Sequence, residues 1–252
     1  MLISVFIILV GLSLGSFLSV LVFRLSLKEG GIVTGRSRCP NCRHRLAWYD
    51  LLPLLSFVLL AGRCRHCRRK ISPAYPLLEL TTALTLLTFS RQINYQFDVQ
   101  NIILTVFLLV FVAIIFSDIL FLTIPDKLII PAAVLAAVSG IFFQTAGPFN
   151  LLITGLTAAG IFGIMFLASR GRWLGLGDIK MVMLIGFLFG FPTAFWIILL
   201  SIWLAAFWGI GLVFLKRATM KTALPLGAFL SATAIIFIIF QNETQFFLQR
   251  FF

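Results

Sequence analysis

Acidic side chains are scarce in this chain: Asp and Glu together number 8 in 252 residues, against 20 Lys and Arg. Charged residues of every kind make up only 11% of the sequence, too few to cover the surface of a water-soluble protein of this length. Histidine is scarcer still. Both copies, His44 and His66, lie in one cysteine-bearing stretch, so no Ser/His or Cys/His nucleophilic apparatus can be assembled elsewhere in the chain. Residues 2–23 lack the basic start and the small-residue cleavage site of a removable signal peptide, and they read as a retained spanning helix. No internal repeat or low-complexity tract is evident.

What fills the chain instead is hydrocarbon. Hydrophobic residues reach 61%, Phe alone numbers 28, and the mean hydropathy is +1.10. This composition predicts an all-α polytopic membrane protein, because helices satisfy their own backbone polar groups in lipid. Eight transmembrane helices are expected, at about 2–24, 75–91, 101–117, 128–145, 151–169, 179–191, 193–215 and 223–240. The sixth is shorter than the roughly 20 residues of an untilted span and meets the punctuation Phe189-Gly190-Phe191-Pro192. Either it is short because Asp178 sits at a locally thinned or wet site, or the helix continues past Pro192 at its first turn. Residues 51–61 are apolar but broken by Pro53, so they either rest on the membrane surface or pack inside the loop domain.

The excess of positive charge follows topology rather than nucleic acid. More than half of the Lys and Arg lie between Arg24 and Lys70, and most others (Lys127, Arg170, Arg172, Lys180, Lys216, Arg217 and Lys221) fall in or beside three shorter connections. The positive-inside rule places these connections in the cytoplasm beside anionic lipid, with both termini outside. Membrane lipid, and not nucleic acid, is the expected partner of this charge.

Four cysteines form two pairs, Cys39-Pro40-Asn41-Cys42 and Cys64-Arg65-His66-Cys67, within the long basic loop. Two C-x-x-C knuckles can supply four thiolates to one tetrahedral Zn²⁺, and a cytoplasmic loop disfavours disulfides. A loop of this size with little apolar content needs such a staple to fold. His44 and His66 are alternative ligands. Reduced cysteines or a redox pair are the other readings.

Asp118 follows the apolar run 102–116, and Asp178 closes Gly175-Leu176-Gly177-Asp178 just before another apolar run. Ionisable groups at membrane depth are costly and mark functional sites. Asp118 also faces the unfavourable end of a helix dipole, unlike Asp126, which follows Pro125 and suits a helix start. Asp178 could serve only as an N-cap, but Gly175 and Gly177 permit close backbone approach of an extended substrate. Topology puts both aspartates on the cytoplasmic side. Two close carboxylates share a proton, so one can activate water while the other polarises a carbonyl. An ion or proton pathway is the competing use of two such acids. Glu79, early in the second span, could line a polar cavity or simply pack at the interface.

These segments resemble the type IV prepilin peptidase family of G-x-G-D membrane aspartic proteases. The resemblance is carried in order by Gly15-Ser16-Phe17-Leu18-Ser19-Val20 with Arg24-Leu25, by the two cysteine pairs, and by Ile71-Ser72-Pro73-Ala74-Tyr75-Pro76 with Glu79. It continues through Asp118 to Ile124-Pro125-Asp126, Gly175-Leu176-Gly177-Asp178-Ile179-Lys180, and Leu224-Pro225-Leu226-Gly227-Ala228-Phe229-Leu230. The chain departs from the pattern with Ser19 for Asn, Ser26 for Pro, Leu226 for Phe and Ala228 for Pro.

The resemblance implies removal of a basic leader, after a glycine, from prepilin or pseudopilin precursors at the bacterial cytoplasmic membrane. Asp118 and Asp178 would be the catalytic pair, with Gly175, Gly177, Lys180 and Glu79 as substrate-binding candidates and Cys39, Cys42, Cys64 and Cys67 as metal ligands. Members with the cysteine loop often also methylate the new N-terminus with S-adenosylmethionine. The implied division is 1–24 as first span, 25–73 as a zinc-binding, methyltransferase-associated loop domain, and 74–252 as the peptidase domain. The alternatives are a peptidase without methyltransferase activity and, in another class, a transporter with a zinc-stapled domain. A presenilin-like enzyme is disfavoured by the absence of a Tyr-Asp context at Asp118.

Overall fold

The computed structural model describes residues 2–27, 37–143, 147–219, 222–241 and 243–244. Lys28, Arg36, Ala146, Lys221 and Arg250, which entered the reading of loops and charge, lie outside the described residues. The described residues form nine helices: α1 (Leu2–Ser26), α2 (Leu55–Leu59), α3 (Ala74–Gln92), α4 (Val99–Phe121), α5 (Asp126–Phe143), α6 (Pro148–Ser169), α7 (Leu176–Phe189), α8 (Thr193–Phe214) and α9 (Leu226–Ile239). No strand occurs among them beyond two isolated β-bridges. The chain is thus an all-α polytopic membrane protein. Four of its helices, α1, α4, α6 and α8, are by themselves long and apolar enough to cross a bilayer. The shorter α2 accounts for the apolar stretch 51–61: its Val58 and Leu59 point away from the packed interior.

The chain divides into two compact units, Met1–Gln96 and Phe97–Phe252. In the first unit α3 packs on α1. Small residues make that packing. A Cβ on Gly11 would come within 2.6 Å of Ala83 Cα, and one on Gly15 within 2.6 Å of Glu79 Cα. Lipid offers no hydrophobic drive between helices, so close backbone approach and dispersion contacts must hold them. The buried Ser19 continues the same stripe one turn on, while Phe6, Leu9 and Phe17 lie on the exposed face of α1. Glu79 reaches out of this interface: its Oε2 accepts the Leu54 N–H at 2.8 Å, which ties the turn before α2 to α3.

In the second unit α4 starts at Asp98, whose side chain accepts the Asn101 N–H at 2.8 Å as an N-cap. It carries the centre of the apolar core, with Phe107, Phe111 and Ile114 fully buried. The helix ends at Leu122, which takes a left-handed conformation (φ 51°) and donates its N–H to the Asp118 carbonyl at 2.9 Å. Ser117 Oγ donates to the Thr123 carbonyl at 2.7 Å and fixes the turn into α5. Helices α6 and α7 approach at Gly155 and Gly186, where a Cβ on Gly186 would fall 2.6 Å from the Gly155 nitrogen.

Of the two endings open to the sixth span, α7 takes the shorter. Gly190 caps it with φ 65°, and α8 begins as a separate helix at Thr193. Asn150 at the start of α6 grips this turn from both sides, accepting the Phe191 N–H at 2.8 Å and donating to its carbonyl at 3.1 Å. Helices α7 and α9 have 14 residues each. At 1.5 Å per residue each is about 21 Å long, well short of a hydrocarbon core of about 30 Å.

The glycine contacts make a direct test. Gly15→Ile should lower the thermal unfolding midpoint of the detergent-solubilised protein, as expected for overpacking worth about 1–3 kcal/mol. Gly160→Ile, where a Cβ meets nothing within 4 Å, should leave the midpoint within experimental error.

Candidate active site and metal centre

Three chain segments converge on Asp118. The first is its own helix: Asp118 lies in the last turn of α4, only 6% exposed. The second is the start of α9, whose Ala228 N–H donates to Asp118 Oδ2 at 2.9 Å. The third is the start of α7, whose Gly177 faces the Ile124 side chain that also lies against Gly227 beside Asp118. The turn that carries Asp178 and the end of α4 therefore meet at one isoleucine.

Asp178 is shaped by the turn that carries it. Its N–H donates to the Gly175 carbonyl at 3.2 Å, and its Oδ2 accepts the Gly175 N–H at 3.0 Å. This reciprocal cap closes the first turn of α7 and sets the carboxylate beside Gly175. Gly177 in turn faces Ile124: a Cβ there would lie 3.1 Å from Ile124 Cβ. On its other flank Ile124 meets Gly227, where a Cβ would lie 2.7 Å from Ile124 Cδ1 and 3.0 Å from Asp118 Oδ2. One isoleucine side chain thus spaces the two loops, tightly at Gly177 and with no free space for a Cβ at Gly227.

Lys180 forms an ion pair with Asp126, the first residue of α5. The pair joins the α4–α5 connection to the start of α7 a short distance along from Asp178. Asp126 occupies the helix-start position expected for it, and the Lys180 ammonium is engaged within the protein.

The sequence reading missed the roles of two participants. It named Ile124 and the Leu224–Leu230 segment as parts of the family pattern, but nothing in that pattern linked either of them to the Asp118 carboxylate. Glu79 lies in the other compact unit, buried and hydrogen-bonded to Leu54, where it performs the local tie described above.

The cysteine centre is built from two matching knuckles in the first unit. Cys39 N–H donates to the His44 carbonyl and Arg43 N–H to the Cys39 carbonyl; Cys64 N–H to the Arg69 carbonyl and Arg68 N–H to the Cys64 carbonyl. Arg43 and Arg68 both adopt positive φ, 56° and 58°, and each knuckle is closed by a β-bridge, Arg38 with Arg45 and Arg63 with Lys70. The C-x-x-C spacing announces two knuckles, but the matching turns and bridges around them are not visible in the sequence, where only the cysteines and a few basic residues match.

All four Sγ atoms lie within 4.8 Å of one another, and Cys39 and Cys67 Sγ are 3.9 Å apart. Metal–sulfur bonds of about 2.3 Å in a tetrahedron require sulfurs about 3.8 Å apart, so the set fits a tetrahedral ion. The histidines are not in it; their rings stack on each other with centroids 3.5 Å apart. Backbone N–H donation, first from Cys67, lowers the Cys64 thiol to about 7. At Cys42 the His44 N–H pulls downward, but desolvation and the neighbouring thiols outweigh it and push the group up to about 11. A bound cation removes that crowding by stabilising every thiolate at once.

Comparison with known proteins gives two family matches that together span most of the chain. The pattern of the Bacterial Peptidase A24 N-terminal domain matches residues 9–93, and that of the Type IV leader peptidase family matches residues 103–210. A Bacillus subtilis protein named prepilin leader peptidase/N-methyltransferase is 30% identical over 92% of this chain and 92% of its own length. Proteins of the same name from Aeromonas hydrophila (28% identical, 96% of this chain, 93% of that protein) and Klebsiella pneumoniae (35%, 72% and 82%) are also similar. No solved structure gives a significant match. With a family pattern on each half of the chain, and a relative of this identity aligned over nearly its whole length, the chain belongs to the type IV leader peptidase family.

Proposed function

We propose that this chain is a membrane aspartic endopeptidase that removes the basic leader from prepilin-like precursors, with Asp118 and Asp178 as its catalytic pair. The observation that carries the reading is the meeting of the Gly175-x-Gly177-Asp178 turn with the buried end of α4. A bacterial inner-membrane location follows from the family and the apolar helices. Within the second unit, Arg170, Arg172, Lys216 and Arg217 lie in the α6–α7 and α8–α9 connections, at the same helix ends as the aspartates. The positive-inside rule then supports a catalytic pair that faces the cytoplasm.

The chemistry follows from two carboxyl groups sharing one proton. The ionised member takes a proton from water, and the oxygen adds to the scissile carbonyl carbon. The protonated member gives its proton to the carbonyl oxygen. Collapse of the tetrahedral intermediate breaks the C–N bond, and the proton gathered from water passes to the leaving amine. Gly175 and Gly177 leave the backbone bare beside Asp178, which supports an extended peptide lying there. Lys180 serves the substrate through the loop it steadies with Asp126, and Glu79 supports the first unit.

The cysteine centre holds Zn²⁺ in this proposal, as four thiolates at tetrahedral spacing support a structural ion. The relatives' names extend the reading to methylation of the newly freed amine, for which S-adenosylmethionine would supply the methyl group. The 25–73 loop is the segment we associate with that step, and 74–252 contains the peptidase helices.

Mass spectrometry of a co-expressed prepilin should show cleavage after a glycine together with an added methyl group. Cleavage without the methyl mass would leave a peptidase alone. Asp118→Asn and Asp178→Asn should each reduce cleavage by on the order of a thousandfold or more while membrane insertion persists. Retained processing by either purified variant would sink the pair. Elemental analysis should find one zinc per purified chain and background metal in Cys64→Ser.

A further inference from the structure

One large apolar surface of the first unit lies outside its spanning helices. Trp48, Val58 and Leu59 are 76%, 73% and 75% exposed, and Tyr49 and Leu55 join them. They belong to a short 3-10 turn, Trp48–Leu51, and to α2, which Pro53 and Leu54 connect. In water such a cluster would be costly, so something apolar must cover it.

The depth of this segment can be read from α1. Glu79 Oε2 accepts the Leu54 N–H at 2.8 Å, and the Glu79 backbone lies against Gly15 of α1. From Gly15 to Arg24, the basic residue in its last turn, α1 rises about 14 Å. A headgroup layer is only about 5–7 Å thick. With Arg24 at the cytoplasmic surface, the Glu79 backbone therefore lies within the hydrocarbon. Helical side chains tilt toward the helix N-terminus, which in α3 is the cytoplasmic end. The carboxylate thus meets Leu54 near the boundary between headgroups and acyl chains. A backbone N–H at that depth needs a partner from the protein, and Glu79 is that partner.

The neighbouring charge selects lipid as the cover. Asp50 is the only acid among residues 37–73, and Arg65 Nε donates to its Oδ1 at 2.9 Å. Arg43, Arg45, Arg63, Arg68, Arg69 and Lys70 are all exposed. Apolar side chains beside dense positive charge match an anionic leaflet, where acyl chains take the first and phosphates the second. Trp48 and Tyr49 are the ring types that favour the headgroup level. A second copy of this chain would instead bring the same positive charge and be repelled.

The apolar segment is also fastened to the cysteine centre. Asp50 Oδ2 accepts the Ala47 N–H at 3.3 Å, while its other oxygen is held by Arg65, which lies between Cys64 and Cys67. The same guanidinium sits 5.0 Å from the centre of the Tyr49 ring.

We propose that residues 48–59 form a lipid-binding wedge: Trp48, Leu55, Val58 and Leu59 enter the cytoplasmic leaflet, and the basic residues of the two knuckles rest on anionic phosphates. The wedge docks the cysteine centre on the membrane surface. It goes beyond the peptidase reading and does not depend on it.

The test is Trp48 fluorescence in the full-length protein with Trp173, Trp196, Trp203 and Trp208 each replaced by Phe. The protein is placed in vesicles of phosphatidylcholine and phosphatidylglycerol. Lipid brominated near the top of its acyl chains should quench Trp48 by about twofold or more relative to unbrominated lipid. Weaker quenching overturns the wedge, and acrylamide then tells whether water or protein covers Trp48.

A second measurement in the otherwise native chain uses Leu59→p-benzoylphenylalanine, and it decides the matter should the Phe variant fail to accumulate. Irradiation in the same vesicles should add the mass of a phospholipid, with phosphatidylglycerol enriched about twofold or more over its share of the bilayer. Absence of a lipid adduct, crosslinks to another segment or to a second copy, or adducts in bulk proportion overturn the proposal.

Discussion

A carboxylate buried at the wrong end of an apolar helix is the constraint around which the second unit is organised. Asp118 lies at the C-terminus of α4, where the exposed carbonyls repel negative charge and hydrocarbon surrounds the helix. Left unpartnered, such a group would be strongly destabilising. The fold answers with the opposite pole of another helix. The start of α9 meets the end of α4, and the Ala228 N–H is shared between the Pro225 carbonyl at 3.2 Å and the Asp118 carboxylate at 2.9 Å. Two helix ends that would each be unsatisfied in lipid satisfy one another.

That meeting sets the spacing of everything nearby. Ile124 stands between Gly227 and Gly177, so the position of α9 is relayed to the turn that holds Asp178. The Lys180–Asp126 pair closes the same circuit on its outer side. At the opposite end of α7, Asn150 fixes the Phe191 turn. The α7 helix is thus gripped at both ends, as suits a segment that has to present one side chain accurately.

Much of this was legible in the sequence, for reasons that differ by residue. Helix positions follow from long apolar runs because a bilayer permits little else, and the observed spans fall within a few residues of those expected. The four cysteines were legible because C-x-x-C spacing is a local property that already places two thiolates. Asp118 and Asp178 stood out by their cost. The Ala228 contact was not legible, because a backbone N–H carries no residue identity and its partner lies far away in the chain. The pairing of α3 with α1 escaped for a related reason: Gly11 and Gly15 mark a close approach without naming Ala83 and Glu79 as the surfaces approached.

The brevity of α7 and α9 has a consequence for water. Both helices start at the candidate site and run for only about two-thirds of the hydrocarbon thickness. A span that short is met either by a locally thinned bilayer or by polar groups of the protein at its ends, as Asn150 meets the Phe191 turn beyond α7. Thinning on the side where both helices start would bring water toward the aspartates and spare an embedded substrate the need for a channel through the protein.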